Sequence, residues 1–253
     1  FFDMKALVQI LIGSAIDGNK AICHILNNID NENPFRINKE EIFAGGVSGG
    51  SILGLHILLL ENIEDIPAQF LNWAKEVEGG ELEDMLANKY CGHPNPIKGF
   101  INISGAILDT SIIHPTNTTF LHLHGKADEV VSIGVGIPQG GTIAAPELYG
   151  SQPIHEKLVQ EGISSETLFF ENIGHVPFLN LDLTSFFQQF NLINGKIYIE
   201  TMNRIANYLF SQIQCEKAVP ATPIKNYFYK NIQVYPNPVK DYFQIQLPES
   251  KKW

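Results

Sequence analysis

Residues 42–51 read IFAGGVSGGS, and this stretch restricts the fold more than any other. An apolar run enters Gly46-Val47-Ser48-Gly49-Gly50 and a second apolar run leaves it, so the chain passes from strand to helix through a turn almost free of side chains. A serine at the tip of such a turn is held in strained backbone. Small residues at Gly46 and Gly50 let strand and helix pass closely while Ser48 Oγ stays exposed. The stretch therefore predicts an α/β unit and marks Ser48 as a candidate nucleophile. A five-residue glycine-serine run also fits an ordinary tight turn, so the chemistry depends on finding a base and an acid elsewhere.

The chain has 253 residues, 44% hydrophobic and 17% charged, enough for one sizeable core and a small appendage. Its net charge of −10 and its scattered basic residues argue against a nucleic-acid or anionic-membrane surface and leave small or neutral partners. Cys23, Cys91 and Cys215 follow no C-x-x-C spacing, so no zinc or thioredoxin-like motif is indicated, and an odd number leaves at least one unpaired within the chain. No uninterrupted apolar run approaches the roughly 20 residues of a spanning helix, so no transmembrane segment is expected. Met4-Lys5 followed by ALVQILIG has the pattern of a short signal-peptide core. However, Leu7, Ile10, Leu11, Ile16, Ile22, Ile25 and Leu26 keep a helical period past Asp17 and Lys20. That predicts an amphipathic domain helix over 4–28 in a chain that starts in mid-protein.

Further strands are predicted at 41–46, 99–104, 119–124 and 167–171. Helices are predicted at 51–60, at 152–162 with Ser151 as N-cap, and at 197–212. The acidic stretch 61–98 is long for one crossover and reads either as a lid or substrate wall or as a solvated helical connection. Alternating strands and helices predict a parallel sheet covered on both faces, with functional residues at the carboxyl ends of its strands. Asp128 follows one such end in HGKAD, and His175 follows another in NIGH. The order Ser48, Asp128, His175 is then nucleophile, acid, base.

GVSGG, NISGAILD, HGKADEVV and GHVPF, in that order, resemble the carboxylesterase and polyhydroxybutyrate-depolymerase-like branch of the α/β-hydrolase superfamily over residues 4–213. The resemblance implies a serine hydrolase of carboxylic esters with no metal and no organic cofactor. His175 would take the Ser48 proton, Asp128 would orient and stabilise the imidazolium, and the Gly49 N–H would serve the oxyanion hole. Other readings remain for the single residues. Ser48 can be a turn serine, and Asp128 a strand-end cap with Glu129 or Asp109 as the acid. His122 and His124 can share a strand face as metal ligands do, although no third ligand is suggested and His-Gly belongs to the hydrolase pattern. In the resembled family a second oxyanion donor comes from a loop after an earlier strand, often HGG-like, and nothing of that kind precedes the Ser48 strand here. The expectation is an α/β-hydrolase domain over 1–214 that lacks its N-terminal strands and has little activity alone.

After a polar linker over 215–231, residues 232–253 include IQVYPNPVKDYFQIQL. Val234-Tyr235-Pro236-Asn237-Pro238 followed by alternating Phe243, Ile245 and Leu247 predicts a turn entering a strand. This short β-type tail resembles the beginning of a type A C-terminal sorting domain of the Bacteroidetes type IX secretion system, truncated. It implies the secretion machinery as a partner and a secreted or cell-surface location; an ordinary β-hairpin tail is the other reading. The competing functions are a serine peptidase of the same fold and a noncatalytic secreted binding module.

Overall fold

A 27-residue helix, α1 (Met4–Asp30), leads into the sheet. The computed structural model describes residues 4–77, 81–141, 145–179 and 195–213, together with two short strands at 233–235 and 244–246. By length and composition α1 is long and apolar enough to cross a membrane, which counting uninterrupted apolar residues did not show. Its apolar stripe of Val8, Ile12, Ala15, Ile16, Cys23 and Leu26 is buried, as in an amphipathic domain helix. Val8, Ile12 and Ile16 join the main core beside Leu55 and Phe70. Cys23 is bridged to Cys91, with the two Cα atoms 5.5 Å apart, a pairing that the spacing alone did not indicate.

The central sheet contains β1 (Ile42–Val47), β2 (Ile97–Ile103), β4 (Thr119–Gly125) and β7 (Ser165–Phe170). All neighbours are parallel, in the order β1-β2-β4-β7. The predicted strands fall within a few residues of these bounds. Helix α2 (Gly49–Leu59) leaves β1 directly and begins earlier than the apolar pattern suggested. The stretch after it holds α3 (Ala68–Lys75) and α4 (Glu81–Ala87). Phe70, Ala74, Leu82 and Met85 from this crossover are buried in the main core.

Strands buried on both faces need two apolar surfaces, and the period of two supplies them. Phe100 and Phe120 face the core shared with Leu55 and Leu58 of α2 and with Ile154 and Leu158 of α5 (Ser151–Gln160). Ile103, Leu121 and Leu123 face the other way, against Tyr208, Ile205 and Leu209 of α6 (Gly195–Gln212). Helices thus cover both faces, as predicted. A small antiparallel sheet was not anticipated: β3 (Ala106–Ile107), β6 (Leu148–Gly150) and β5 (Val135–Gly136), in the order β3-β6-β5.

Ser151 is not the side-chain N-cap that its position suggested. It is the first residue of α5, Gly150 precedes it without a capping side chain, and the Ser151 hydroxyl turns inward. The chain divides into two compact units, 1–213 and 214–253. In the second, β8 (Gln233–Tyr235) pairs antiparallel with β9 (Gln244–Gln246), Val234 opposite Ile245. Cys215, the linker, the Pro236-Asn237-Pro238 turn, Phe243 and Leu247 lie outside the described residues.

Candidate active site

Ser48 sits between β1 and α2 with φ 54° and ψ −125°, a strained conformation for a residue with a Cβ. Its N–H donates to the Ile103 carbonyl of β2 at 2.8 Å, and its carbonyl accepts from Ser51 and Ile52 N–H as α2 begins. The glycine argument holds for Gly46: a Cβ there would stand 2.4 Å from the backbone carbon of Gly50. Gly50 itself has open space where its Cβ would be, so only the strand-side glycine is required for close passage. Gly49 is the first residue of α2, where N–H groups have no intrahelical acceptor and the helix dipole is positive.

The acid and the histidine sit on the loops after β4 and β7, the two strands beyond β2. These loops are in backbone contact. Ala127 N–H donates to the Ile173 carbonyl at 2.9 Å, and a Cβ on Gly125 would lie 2.2 Å from that same oxygen. A residue larger than glycine at 125 would push the loops apart.

The structure brings together the three residues that the motifs singled out. Ser48 Oγ lies 2.7 Å from His175 Nε2, and His175 Nδ1 lies 2.8 Å from Asp128 Oδ2. Since a carboxylate only accepts, His175 Nδ1 carries a proton, and Nε2 of the neutral ring is free to accept from the serine. The Asp128 carboxylate is fully buried while the His175 side chain keeps 10% of its surface exposed. Burial opposes the carboxylate charge, but donors from His124, His175 and the Val131 N–H outweigh it and hold the Asp128 carboxyl well below the usual range. Asp128 Oδ1 also accepts from the N–H groups of Val130 and Val131, both at 2.9 Å, so the cap and acid readings describe the two oxygens of one side chain. Of the alternative acids, Asp109 accepts from Ser111 N–H at 2.8 Å in a separate turn.

Several residues of the site were missed or read otherwise. His124 Nε2 lies 3.1 Å from Asp128 Oδ2 and 2.9 Å from the Val131 carbonyl, and its Nδ1 lies 2.6 Å from Ser151 Oγ. His122 shares its strand face, as a spacing of two requires, but its Nδ1 meets Asn102 Nδ2 at 2.8 Å. Among the described residues no group of three metal-ligating side chains converges. Ser104, fully buried with φ 51°, accepts from the Val176 N–H at 3.3 Å and so ties the residue after His175 to the end of β2. The alternation in TFLHLH was the available signal, since it sends both histidines to the face opposite Leu121 and Leu123. An apolar cleft of about 260 Å³, lined by Gly45, Gly50, Leu53, Tyr90 and Phe100 among others, reaches the elbow at Gly50 and includes none of Ser48, Asp128 and His175.

A parallel sheet with helices on both faces, a G-x-S-x-G turn from strand to helix, and an acid and a histidine on later strand ends together define an α/β-hydrolase fold. No family model and no curated protein matches the sequence. Among solved structures the chain is similar to the esterase PE8, at 14% identity and TM-score 0.43 over 80% of this chain and 64% of that one. It is also similar to Arabidopsis thaliana SOBER1, at 18% identity and TM-score 0.39 over 76% and 63%. A third likeness is to the carboxylesterase Cest-2923 from Lactobacillus plantarum WCFS1, at 11% identity and TM-score 0.47 over 78% and 67%. The chain spans just under two thirds of the first two structures.

Proposed function

We propose that the chain is a serine hydrolase of carboxylic esters, with Ser48 as nucleophile, His175 as general base and Asp128 as the orienting acid. The observation that supports this reading is the Ser48–His175–Asp128 relay, with both links at hydrogen-bond distance and the histidine tautomer set by the acid. A serine hydroxyl is a poor nucleophile near neutral pH, so Nε2 takes its proton as Oγ adds to the ester carbonyl. The imidazolium then protonates the departing alcohol. Water, activated by the same nitrogen, releases the acyl group from Ser48. The oxyanion formed at each addition is served by the Gly49 N–H at the positive end of α2; losing one such donor typically costs about 3 kcal/mol of transition-state stabilisation.

We read the protein as exported, with the tail over 232–253 acting as the sorting signal. The Cys23–Cys91 bridge supports that location, because disulfides persist mainly in oxidising compartments.

The test is fluorophosphonate labelling of the full chain, located by peptide mass spectrometry, beside p-nitrophenyl ester and peptide anilide panels. The expected result is a label on Ser48 that Ser48→Ala abolishes, with esters cleaved in preference to anilides. Absence of label on Ser48 in folded protein would overturn the reading, and anilide preference would turn it to a peptidase.

A further inference from the structure

The hydrogen bonds around Asp128 continue past the acid and return to the nucleophile's own helix. Ser51 Oγ, on the first turn of α2, lies 2.5 Å from Asn102 Oδ1, which also accepts from the Gly105 N–H at 3.0 Å. Asn102 Nδ2 reaches His122 Nδ1 at 2.8 Å and Ser151 Oγ at 3.1 Å. Ser151 Oγ is 2.6 Å from His124 Nδ1, and His124 Nε2 is 3.1 Å from Asp128 Oδ2. With Asp128–His175–Ser48 and the Ser51 N–H to the Ser48 carbonyl at 2.9 Å, the ring closes. Ser51, Asn102, His124 and Ser151 are all fully buried.

With a neutral His124 ring, the donors and acceptors admit one assignment. His124 Nε2 faces a carboxylate and a carbonyl, both acceptors, so it carries the proton. Nδ1 of the neutral ring is then an acceptor and takes the Ser151 hydroxyl proton. Ser151 Oγ accepts from Asn102 Nδ2, and Asn102 Oδ1 accepts from Ser51. Ser151 thus donates to one partner and accepts from another, and Asn102 uses both its oxygen and its nitrogen, so every link from Ser51 to Asp128 is paired; on the side branch, His122 Nε2 has no partner among the described residues.

We infer that His124 is a positioning residue for the acid, its Nε2–H holding Asp128 Oδ2 on the line to His175 while its Nδ1 couples the acid loop to the elbow helix through Ser151, Asn102 and Ser51. This rests on the hydrolase reading of Ser48, His175 and Asp128. Asp128 Oδ1 is already held by two backbone N–H groups, which fix one oxygen and leave the carboxylate free to swing about it. The second imidazole removes that freedom. His124 does not touch a substrate; it acts through Asp128.

The test uses the full chain with His124→Phe, which keeps a ring of similar size without donor or acceptor, and His124→Gln, whose amide nitrogen can stand near the place of Nε2. The readouts are the labelling rate of Ser48, its split between probe affinity and maximal rate, the urea midpoint, and imidazole N–H signals of ¹⁵N-histidine protein. For His124→Phe the expected result is a fall in maximal labelling rate of about 10- to 100-fold at unchanged probe affinity, by analogy with the loss of a group that orients a metal ligand. The His175 Nδ1–H signal shifts or is lost to exchange, and His124→Gln recovers most of both. Wild-type His124 shows the Nε2–H tautomer. A folded His124→Phe with wild-type labelling rate and an unchanged His175 signal would overturn the inference, as would a wild-type Nδ1–H tautomer at His124. If His124→Phe does not fold, the wild-type spectrum and His124→Gln decide: an Nε2–H tautomer at His124 together with a folded His124→Gln that keeps most of the rate and of the His175 signal supports the inference, and an Nδ1–H tautomer, or a folded His124→Gln that loses both, overturns it. If wild-type Ser48 takes no label, the hydrolase reading fails, while the tautomer and the His124-dependent His175 signal still decide the positioning role.

Discussion

His175 Nε2 and Ser48 Oγ, 127 positions apart in the chain, meet at 2.7 Å. The contact joins the loop after the last strand of the parallel sheet to the turn after the first. Substituting either side removes either the proposed nucleophile or its proposed base. Ser48→Ala and His175→Gln are each expected to lower fluorophosphonate labelling or ester turnover by about a thousandfold or more, with unfolding midpoints near wild type. Labelling rates beside urea unfolding check this.

Gly46→Ala is expected to disturb the elbow and the fold together. Its Cβ would lie 2.4 Å from the Gly50 backbone, which is part of α2 and cannot swing aside as a side chain would. Overpacking of this kind costs about 1–3 kcal/mol. The check is a lowered thermal midpoint with slower labelling of Ser48. Gly50→Ala, with open space at its Cβ position, serves as the mild control.

Acid should destabilise the protein in two stages. Burial pushes His122 down to about 3, the neighbouring His155 and His124 adding to it, and burial pushes His56 down to about 4 against the pull of the Ile52 carbonyl. The unfolded chain takes up these protons near pH 6.5, before the native protein does, so stability is full above that pH and falls as pH drops toward about 4. Each histidine contributes at most about 1.4 kcal/mol per pH unit in that window. Below about pH 4, Asp128, whose native carboxyl lies under its unfolded value, adds a further loss as it is protonated in the unfolded chain first. Urea midpoints from pH 7 to pH 4 measure the first stage, and His122→Phe should flatten its slope.

Reducing the Cys23–Cys91 bridge should loosen α1 from the 61–98 crossover. The two cysteines are 68 positions apart, so the bridge closes a long loop of the unfolded chain. Breaking it is expected to cost about 2–4 kcal/mol. Denaturant midpoints with and without dithiothreitol, and of Cys23→Ala paired with Cys91→Ala, give the measurement.

What the sequence determined by itself was local. The elbow, the four parallel strands and the strand-end positions of Asp128 and His175 follow from glycine spacing and apolar runs, which act over about ten residues or fewer. The amphipathic stripe of α1 and the helices on both faces follow from the same periodicities. Outside Ser48, His175 and Asp128, the tertiary structure alone decided which polar groups meet. Ser51 finds Asn102 across 51 positions, Asn102 finds His122 across 20, and Ser151 finds His124 across 27. No period encodes such pairings, because a buried hydroxyl, amide or imidazole takes whatever donor or acceptor the packed sheet brings within 3 Å. The same reason turned Ser151 from a helix cap into a partner of His124. It also turned His124, legible only as half of a His-Gly motif or as a candidate metal ligand beside His122, into the second imidazole on Asp128.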